Sequence, residues 1–363
     1  MFFCNWKYNI NKENDIAQMI LLGDPQMEGD WRIKREGLKG EYNIAFNDRF
    51  FKHIVDNIAY YLQPSLVFVL GDLFSSQYIN DDEFLVRTNR YRNIFSPLLY
   101  KQSKSELKII NVTGNHDIGY ANEASLHRIN RFEQAFGKVN DKFYVSGHLF
   151  GVVNSINLDR SQDERLYNQT WDHLRALKEE AESTQSPLII LTHIPLYKDI
   201  DTIDRSLPLY QQQPFLCRER DHTRKDRNGN IIEQTMISKE SSDYILEHLK
   251  PLFIFNGHDH EGCIFKHQNN ITTEYTIRSM MGGYAGYSAL FELKKLSKSS
   301  SPSTKEEFEY SFQWCPFIET RFINISFGVT GGWLVLFILF NLVLSFVVPF
   351  INKHKQDKKK KIQ

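Results

Sequence analysis

The chain has 363 residues, 41% of them hydrophobic and 24% charged, which is enough apolar material for a full core and about two structural units. Net charge is zero, but six lysines and one aspartate fall in residues 353–363, so the rest carries five net negative charges, which argues against a nucleic-acid partner. Cys4, Cys217, Cys263 and Cys315 are too few and too scattered for a disulfide scaffold or a zinc ribbon. One or two disulfides in an oxidising compartment, or buried free thiols, both fit them.

Residues 1–18 are polar and irregular and hold no apolar run that would start translocation. The first strand, Met19 to Leu22, closes on the turn signal Gly23-Asp24-Pro25. Apolar residues then recur at three and four spacing from Asn43 to Leu62, which predicts an amphipathic helix. Strands at Leu66 to Leu70 and Lys108 to Val112 flank a second helix, about Asp81 to Tyr100. This order implies right-handed crossovers and parallel pairing in the first half.

A helix at 124–136 precedes strands at 142–145 and 149–156, and a helix at 168–183 leads to the fourth cluster-bearing strand, Leu188 to Leu191. Residues 198–242 lack periodicity and read as a long surface loop able to shape a substrate entrance. A short helix at 242–249 precedes the strand at 252–255, with further strands at 272–278 and 288–293. Residues 294–307 form a Ser- and Lys-rich loop, after which Phe308, Tyr310, Phe312 and Trp314 alternate at period two. No charge occurs from Phe322 to Asn352, and a bilayer core needs roughly 20 apolar residues, so a transmembrane helix over 323–351 is expected. A basic cytosolic tail, 352–363, would follow.

Five apolar runs end in polar clusters: Gly23-Asp24-Pro25-Gln26, Gly71-Asp72, Gly114-Asn115-His116-Asp117, Thr192-His193 and Gly257-His258-Asp259-His260. Carboxylate, amide oxygen and imidazole without thiolate suit hard and borderline divalent cations. A single Gly-Asp or Thr-His would be a structural residue more often than a ligand. Five in order at strand ends read as one metal site. Two neighbouring metals need a shared carboxylate, for which Asp72 is the natural candidate, and such sites clamp an in-line phosphoryl transfer.

These clusters resemble the calcineurin-like metallophosphoesterase superfamily over about residues 19–316. The resemblance implies a four-layer α/β/β/α sandwich with a dinuclear site on one edge. It implies Asp24, Gln26, Asp72 and His260 around a first metal, and Asp72, Asn115, His193 and His258 around a second. It makes His116 the proton donor to the leaving oxygen, oriented by Asp117. Two divalent ions are implied, Mn2+ by the family, with Fe and Zn2+ also suited to these ligands. Two positions depart from the pattern: Gln26 stands where His is common, and Ser75 where Asp or Asn is common.

The protein serine/threonine phosphatase motifs are absent. Gly71-Asp72-Leu-Phe-Ser-Ser-Gln77, Gly257-His-Asp-His-Glu-Gly-Cys263 and Arg278-Ser-Met-Met-Gly282 are similar to fungal endoplasmic-reticulum phosphoesterases that remodel glycosylphosphatidylinositol (GPI) anchors. That resemblance implies removal of ethanolamine phosphate from an anchor mannose, with GPI-anchored proteins as substrates. Lys360-Lys361 resembles a dilysine signal read by retrieval coat proteins, implying a luminal catalytic domain cycling between endoplasmic reticulum and early Golgi. A luminal domain needs a translocation start, so an N-terminal anchor upstream of Met1 is expected; a tail-anchored, cytosolic enzyme is the rival topology. Rival functions are a metallophosphoesterase of another lipid, nucleotide or phosphoprotein, and a non-catalytic cargo-sorting membrane protein.

Overall fold

Alternation along the strands builds two mixed sheets that share one core. In the computed structural model the described residues are 4–8, 16–199, 216–267, 271–296, 307–318 and 320–360. The five-stranded sheet holds β1 (Ile16–Leu22), β2 (Leu66–Leu70), β3 (Lys108–Val112), β12 (Ser288–Lys295) and β13 (Phe308–Cys315) in the order β13-β12-β1-β2-β3. The six-stranded sheet holds β4 (Asp141–Val145), β5 (His148–Val152), β6 (Leu188–Leu191), β9 (Phe253–Asn256), β10 (Cys263–Lys266) and β11 (Thr273–Thr276) in the order β10-β11-β9-β6-β5-β4. The parallel pairs expected among β1, β2 and β3 form, while β12 adds to β1 antiparallel.

Every second residue of these strands enters the space between the sheets. Met19, Leu21, Phe68, Phe150, Ile189 and Phe255 meet there, all fully buried. The intervening residues Ile20, Val67, Ile190 and Ile254 are buried on the outer faces. Both faces of each sheet are therefore covered, which is why these strands read as continuous apolar runs. Truncating one such ring, Phe150→Ala, would cost roughly 3–5 kcal/mol.

The helices are α1 (Asp30–Glu36), α2 (Leu38–Asn57), α3 (Asp81–Ile94), α4 (Ser96–Ser103), α5 (Asn115–Ile118), α6 (Leu126–Phe136), α7 (Glu164–Thr184) and α8 (Lys239–Tyr244). The single helix expected over Asp81 to Tyr100 is broken at Phe95, because Pro97 has no N–H to continue the ladder and instead starts α4. The strand expected to run to Ile156 ends at Val152, and a 3-10 turn covers Ser155–Asn157. The 198–242 segment is not a plain loop: its described part carries the hairpin β7 (Thr223–Lys225) and β8 (Ile231–Gln234). Residues 200–215 of that segment, 297–306 of the 294–307 loop, and Lys361 of the dilysine pair lie outside the described residues.

Two disulfides, Cys4–Cys315 and Cys217–Cys263, take up all four cysteines. Residues 1–317 form one unit and residues 318–363 a second. The second unit carries one helix, α9 (Thr320–Lys360), whose stretch Phe322–Asn352 is long and apolar enough to cross a membrane.

Candidate metal centre

The expected ligands gather at the C-terminal ends of strands from both sheets. Asp24 and Gln26 follow β1, Asp72 follows β2, and Asn115 opens α5 after β3. His193 follows β6, while His258 and His260 follow β9. Asp24, Asp72, Asn115 and His193 are buried, at 0–2% exposure.

Glycines before the clusters let the strand tips approach. A Cβ on Gly71 would lie 2.3 Å from His193 Nδ1, and one on Gly114 would lie 2.2 Å from Asp72 Oδ1. The backbone then turns the ligands inward by an unfavourable route. Asp24 (φ 34°), Gln26 (φ 41°), Asp72 (φ 48°) and His258 (φ 71°) all adopt left-handed conformations. Each costs about 1–3 kcal/mol, and such strain collects at functional sites.

Asp72 is the hub. Its Oδ1 accepts the His116 backbone N–H at 2.8 Å and lies 3.3 Å from His193 Nε2, while Oδ2 lies 3.2 Å from the Gln26 amide. Oδ2 is also 3.9 Å from His116 Nε2. Asp24 forms the second acidic point: Oδ2 lies 3.3 Å from His260 Nε2, and both oxygens accept the His258 backbone N–H at 3.1 Å. The terminal amide of Gln26 stands 3.2 Å from His260 Nε2 as well, so Gln26 joins the two acidic points.

The imidazoles are oriented by backbone carbonyls, which can only accept. His193 Nδ1–H donates to Leu70 O at 2.7 Å, leaving Nε2 toward Asp72 and Asn115 Oδ1, 3.1 Å away. His258 Nε2–H donates to Gln234 O at 2.9 Å, leaving Nδ1 as its free electron pair. Outer partners of this kind fix the tautomer of a metal-binding histidine. Gln234 lies in the segment read as a loop, and its side chain is held by Asp159 Oδ2 at 2.9 Å. Sequence reasoning had no signal for it, because a carbonyl contact depends on no side-chain type.

Burial alone would raise the Asp72 carboxyl, but His193 and His116 outweigh it and hold it well below the usual carboxylate range. Burial likewise works against charge on His193, yet Asp72 raises it to about 10. His258 is pushed down to about 4 by burial and by His193, so it is a neutral donor. Two buried carboxylates, one carboxamide pair and three imidazoles form a donor set for divalent cations, which would displace the proton His193 otherwise holds. Ligand atoms of Asp72, His193 and His258 already lie within 4.8 Å of one another.

The residues therefore fit a dinuclear group, with Asp24, Gln26, Asp72 and His260 on one side and Asp72, Asn115, His193 and His258 on the other. When bound, divalent ions supply charge neutralisation at phosphoryl oxygens and a water of lowered pKa. His116 stands half-exposed beside Asp72, placed to give a proton to a departing oxygen.

Asp117 is placed differently from the orienting role expected of it. Its oxygens accept the N–H groups of Gly114 (2.8 Å) and Phe74 (3.2 Å), and among the described residues His116 Nδ1 has no hydrogen-bond partner. A carboxylate three residues past Gly114 reaches back to the helix start more readily than across to the neighbouring ring. Burial and Asp72 together push Asp117 up to about 7. Ser75 accepts from the buried Arg87 at 3.1 Å, so that position serves a structural contact.

A cavity of about 530 Å³ opens beside His258 and His260. Leu216, Arg218, Glu219, Asp259, Glu261 and Tyr284 line it, and the Cys217–Cys263 bridge ties one wall to β10. Tyr284 sits edge-on to His260, with centroids 5.2 Å apart. Arg278 pairs with Glu261 at 3.2 Å and lies over Tyr287. The wall at 216–219 was invisible in the sequence, which has no periodicity there.

Protein TED1 of Saccharomyces cerevisiae is 26% identical over 392 residues, covering 82% of this chain and 77% of that protein. Metallophosphoesterase 1 of Mus musculus is 24% identical over 360 residues, covering 93% of this chain and 83% of that protein. A dimetal phosphatase from Danio rerio aligns structurally with a TM-score of 0.42 and 11% identity, covering 83% of this chain and 99% of its own. The calcineurin-like phosphoesterase family model matches residues 18–262, from within β1 to just past the His258–His260 cluster. A match over more than half of the chain, holding the whole strand-end constellation, makes this protein a member of the calcineurin-like phosphoesterase family, a metal-dependent phosphoric ester hydrolase.

Proposed function

We propose that the enzyme removes ethanolamine phosphate from a mannose of GPI anchors in the endoplasmic reticulum membrane, promoting export of the anchored proteins. The observation that carries this reading is the cavity beside His258 and His260, where three carboxylates face one exposed arginine. Glu261 is already paired with Arg278, while burial and Asp259 push Glu219 up to about 7. Carboxylates in this wall can accept hydrogen bonds from the ammonium group of an ethanolamine phosphoester. The disulfides and the apolar helix mark a membrane protein of the secretory pathway. A luminal domain, Mn2+ at the centre and coat-protein retrieval through Lys360-Lys361 complete the proposal.

The test is the anchor-glycan profile of cells carrying His116→Ala. Ethanolamine phosphate retained on the mannose is the expected result. An unchanged profile, with hydrolysis of a soluble alkyl phosphodiester lost, would reject the substrate and keep the chemistry.

A further inference from the structure

The surface of α1 and the first half of α2 carries apolar rings in solvent. No residue of α1 is buried, and Trp31, Leu38 and Tyr42 are 67%, 83% and 63% exposed. Lys34, Arg35, Lys39 and Arg49 stand exposed among them; Lys34 pairs with Asp30 and Arg35 with Glu36, and Glu41 is exposed as well. Each helical residue advances about 100°, so Leu38, Tyr42, Phe46, Arg49 and His53 fall on one stripe roughly 22 Å long. Tyr42 and Phe46 stack within it, centroids 6.3 Å apart.

The His53 end of the stripe meets the end of the first unit. The Phe317 ring lies 5.1 Å from that of His53 and 5.5 Å from that of Phe50, and the Phe317 N–H donates to Ala285 O at 3.0 Å. The apolar span begins at Phe322. Five residues reach at most about 17 Å, so the chain cannot carry the start of the apolar run further than this from Phe317, which packs on His53. Aromatic rings mixed with basic side chains are the composition that settles at headgroup level.

We infer that α1 and the Leu38–His53 stripe of α2 rest on the lipid bilayer that the C-terminal helix crosses. A second copy of the chain is a poorer occupant, since a two-fold contact would set the surplus basic side chains of this face, Lys39 and Arg49, against their own copies. The consequence reaches the active site, because Ala285 adjoins Tyr284 in the cavity wall. Docking would hold the cavity close to the headgroup layer, where a phosphoester borne on a lipid is presented. This inference does not depend on the glycan reading.

The test uses the full chain in lipid nanodiscs. All four native cysteines are bridged, so a thiol introduced as Leu38→Cys or Tyr42→Cys can be labelled alone with a polarity-sensitive fluorophore, with Tyr144→Cys on β4 as the control. Expected is a blue-shifted emission at 38 and 42 and a several-fold loss of it to brominated lipid, with neither at 144. Water-like emission at 38 and 42 would overturn the inference, as would shielding that persists in detergent and rises with protein concentration, which marks a second copy. A companion variant, L38S/Y42S, should hydrolyse soluble bis(4-nitrophenyl) phosphate at the wild-type rate and turn over a lipid-borne aryl phosphodiester several-fold more slowly. Equal rates on both substrates would count against it. An unchanged glycan profile in the His116→Ala cells would leave this result standing.

Discussion

The backbone N–H of His116 lies 2.8 Å from Asp72 Oδ1, so the residue proposed as proton donor is anchored to the carboxylate proposed to join the two halves of the metal centre. Asp72→Asn should keep that hydrogen bond through the remaining carbonyl oxygen while removing the shared charge. Metal affinity should fall by more than the roughly 10–100-fold that loss of an outer partner costs. Titration with Mn2+ and metal content after dialysis check this, and full metal retention would remove Asp72 from its role.

His116 should matter in proportion to how poor the leaving group is. General-acid catalysis contributes about 10²–10⁴-fold. His116→Ala should therefore slow hydrolysis of an alkyl phosphodiester by that factor, and of a 4-nitrophenyl diester far less. Equal losses on both substrates would assign His116 to binding instead.

Behind the second histidine cluster, Glu274 is buried with Lys198 at 2.8 Å, His267 at 2.7 Å and Asn256 at 2.6 Å. Burial opposes its charge, but Lys198 and His267 hold the carboxyl down, from an ordinary 4.5 to about 2. A folded pKa below the unfolded one stabilises above the unfolded value, and the contribution disappears as pH falls toward the folded one. Glu274→Gln should thus lose roughly 3–5 kcal/mol at neutral pH. Its deficit relative to wild type should shrink between pH 4.5 and 2, as read from denaturation midpoints. Asn256 immediately precedes Gly257 and His258, so metal affinity should fall as well.

The Cys217–Cys263 bridge closes a 46-residue separation and holds the cavity wall. The paired change C217A/C263A should cost roughly 2–4 kcal/mol. It should raise KM more than it lowers kcat, because Glu219 and Arg218 lose their fixed position while the ligands on β6 and β9 keep theirs. A kcat loss without a KM change would show that the bridge supports the metal centre instead.

The strands and the ligand clusters were legible in the sequence because both sheet faces are covered. Runs such as Leu66–Leu70 are then apolar throughout, and the chain must break on Gly where two tips meet. Connections were less legible. α1 buries nothing, so it has no apolar periodicity to detect, and β10 is four residues long with only Cys263 buried. The resemblance gives Asp117 the role of orienting His116, whereas its carboxylate answers to the backbone N–H groups of Gly114 and Phe74. In the hairpin, β7 is exposed throughout and β8 is buried only at its two ends, so neither strand carries a period-two pattern.

The Cys4–Cys315 bridge also has a mechanical consequence. Tension arriving from the membrane side enters the first unit at the end of β13, an edge strand that could peel from β12 one hydrogen bond at a time. The bridge diverts part of that tension into residues 4–8, which are fastened elsewhere: Trp6 Nε1 to Leu62 O at 2.6 Å, and the amides of Lys7 and Tyr8 to Glu292 at 2.7 and 3.1 Å. The load is thus spread across β12 and the helical turn that follows α2 rather than concentrated at a single edge. A catalytic unit dragged along a moving membrane would be unlatched last at the place where it is pulled first.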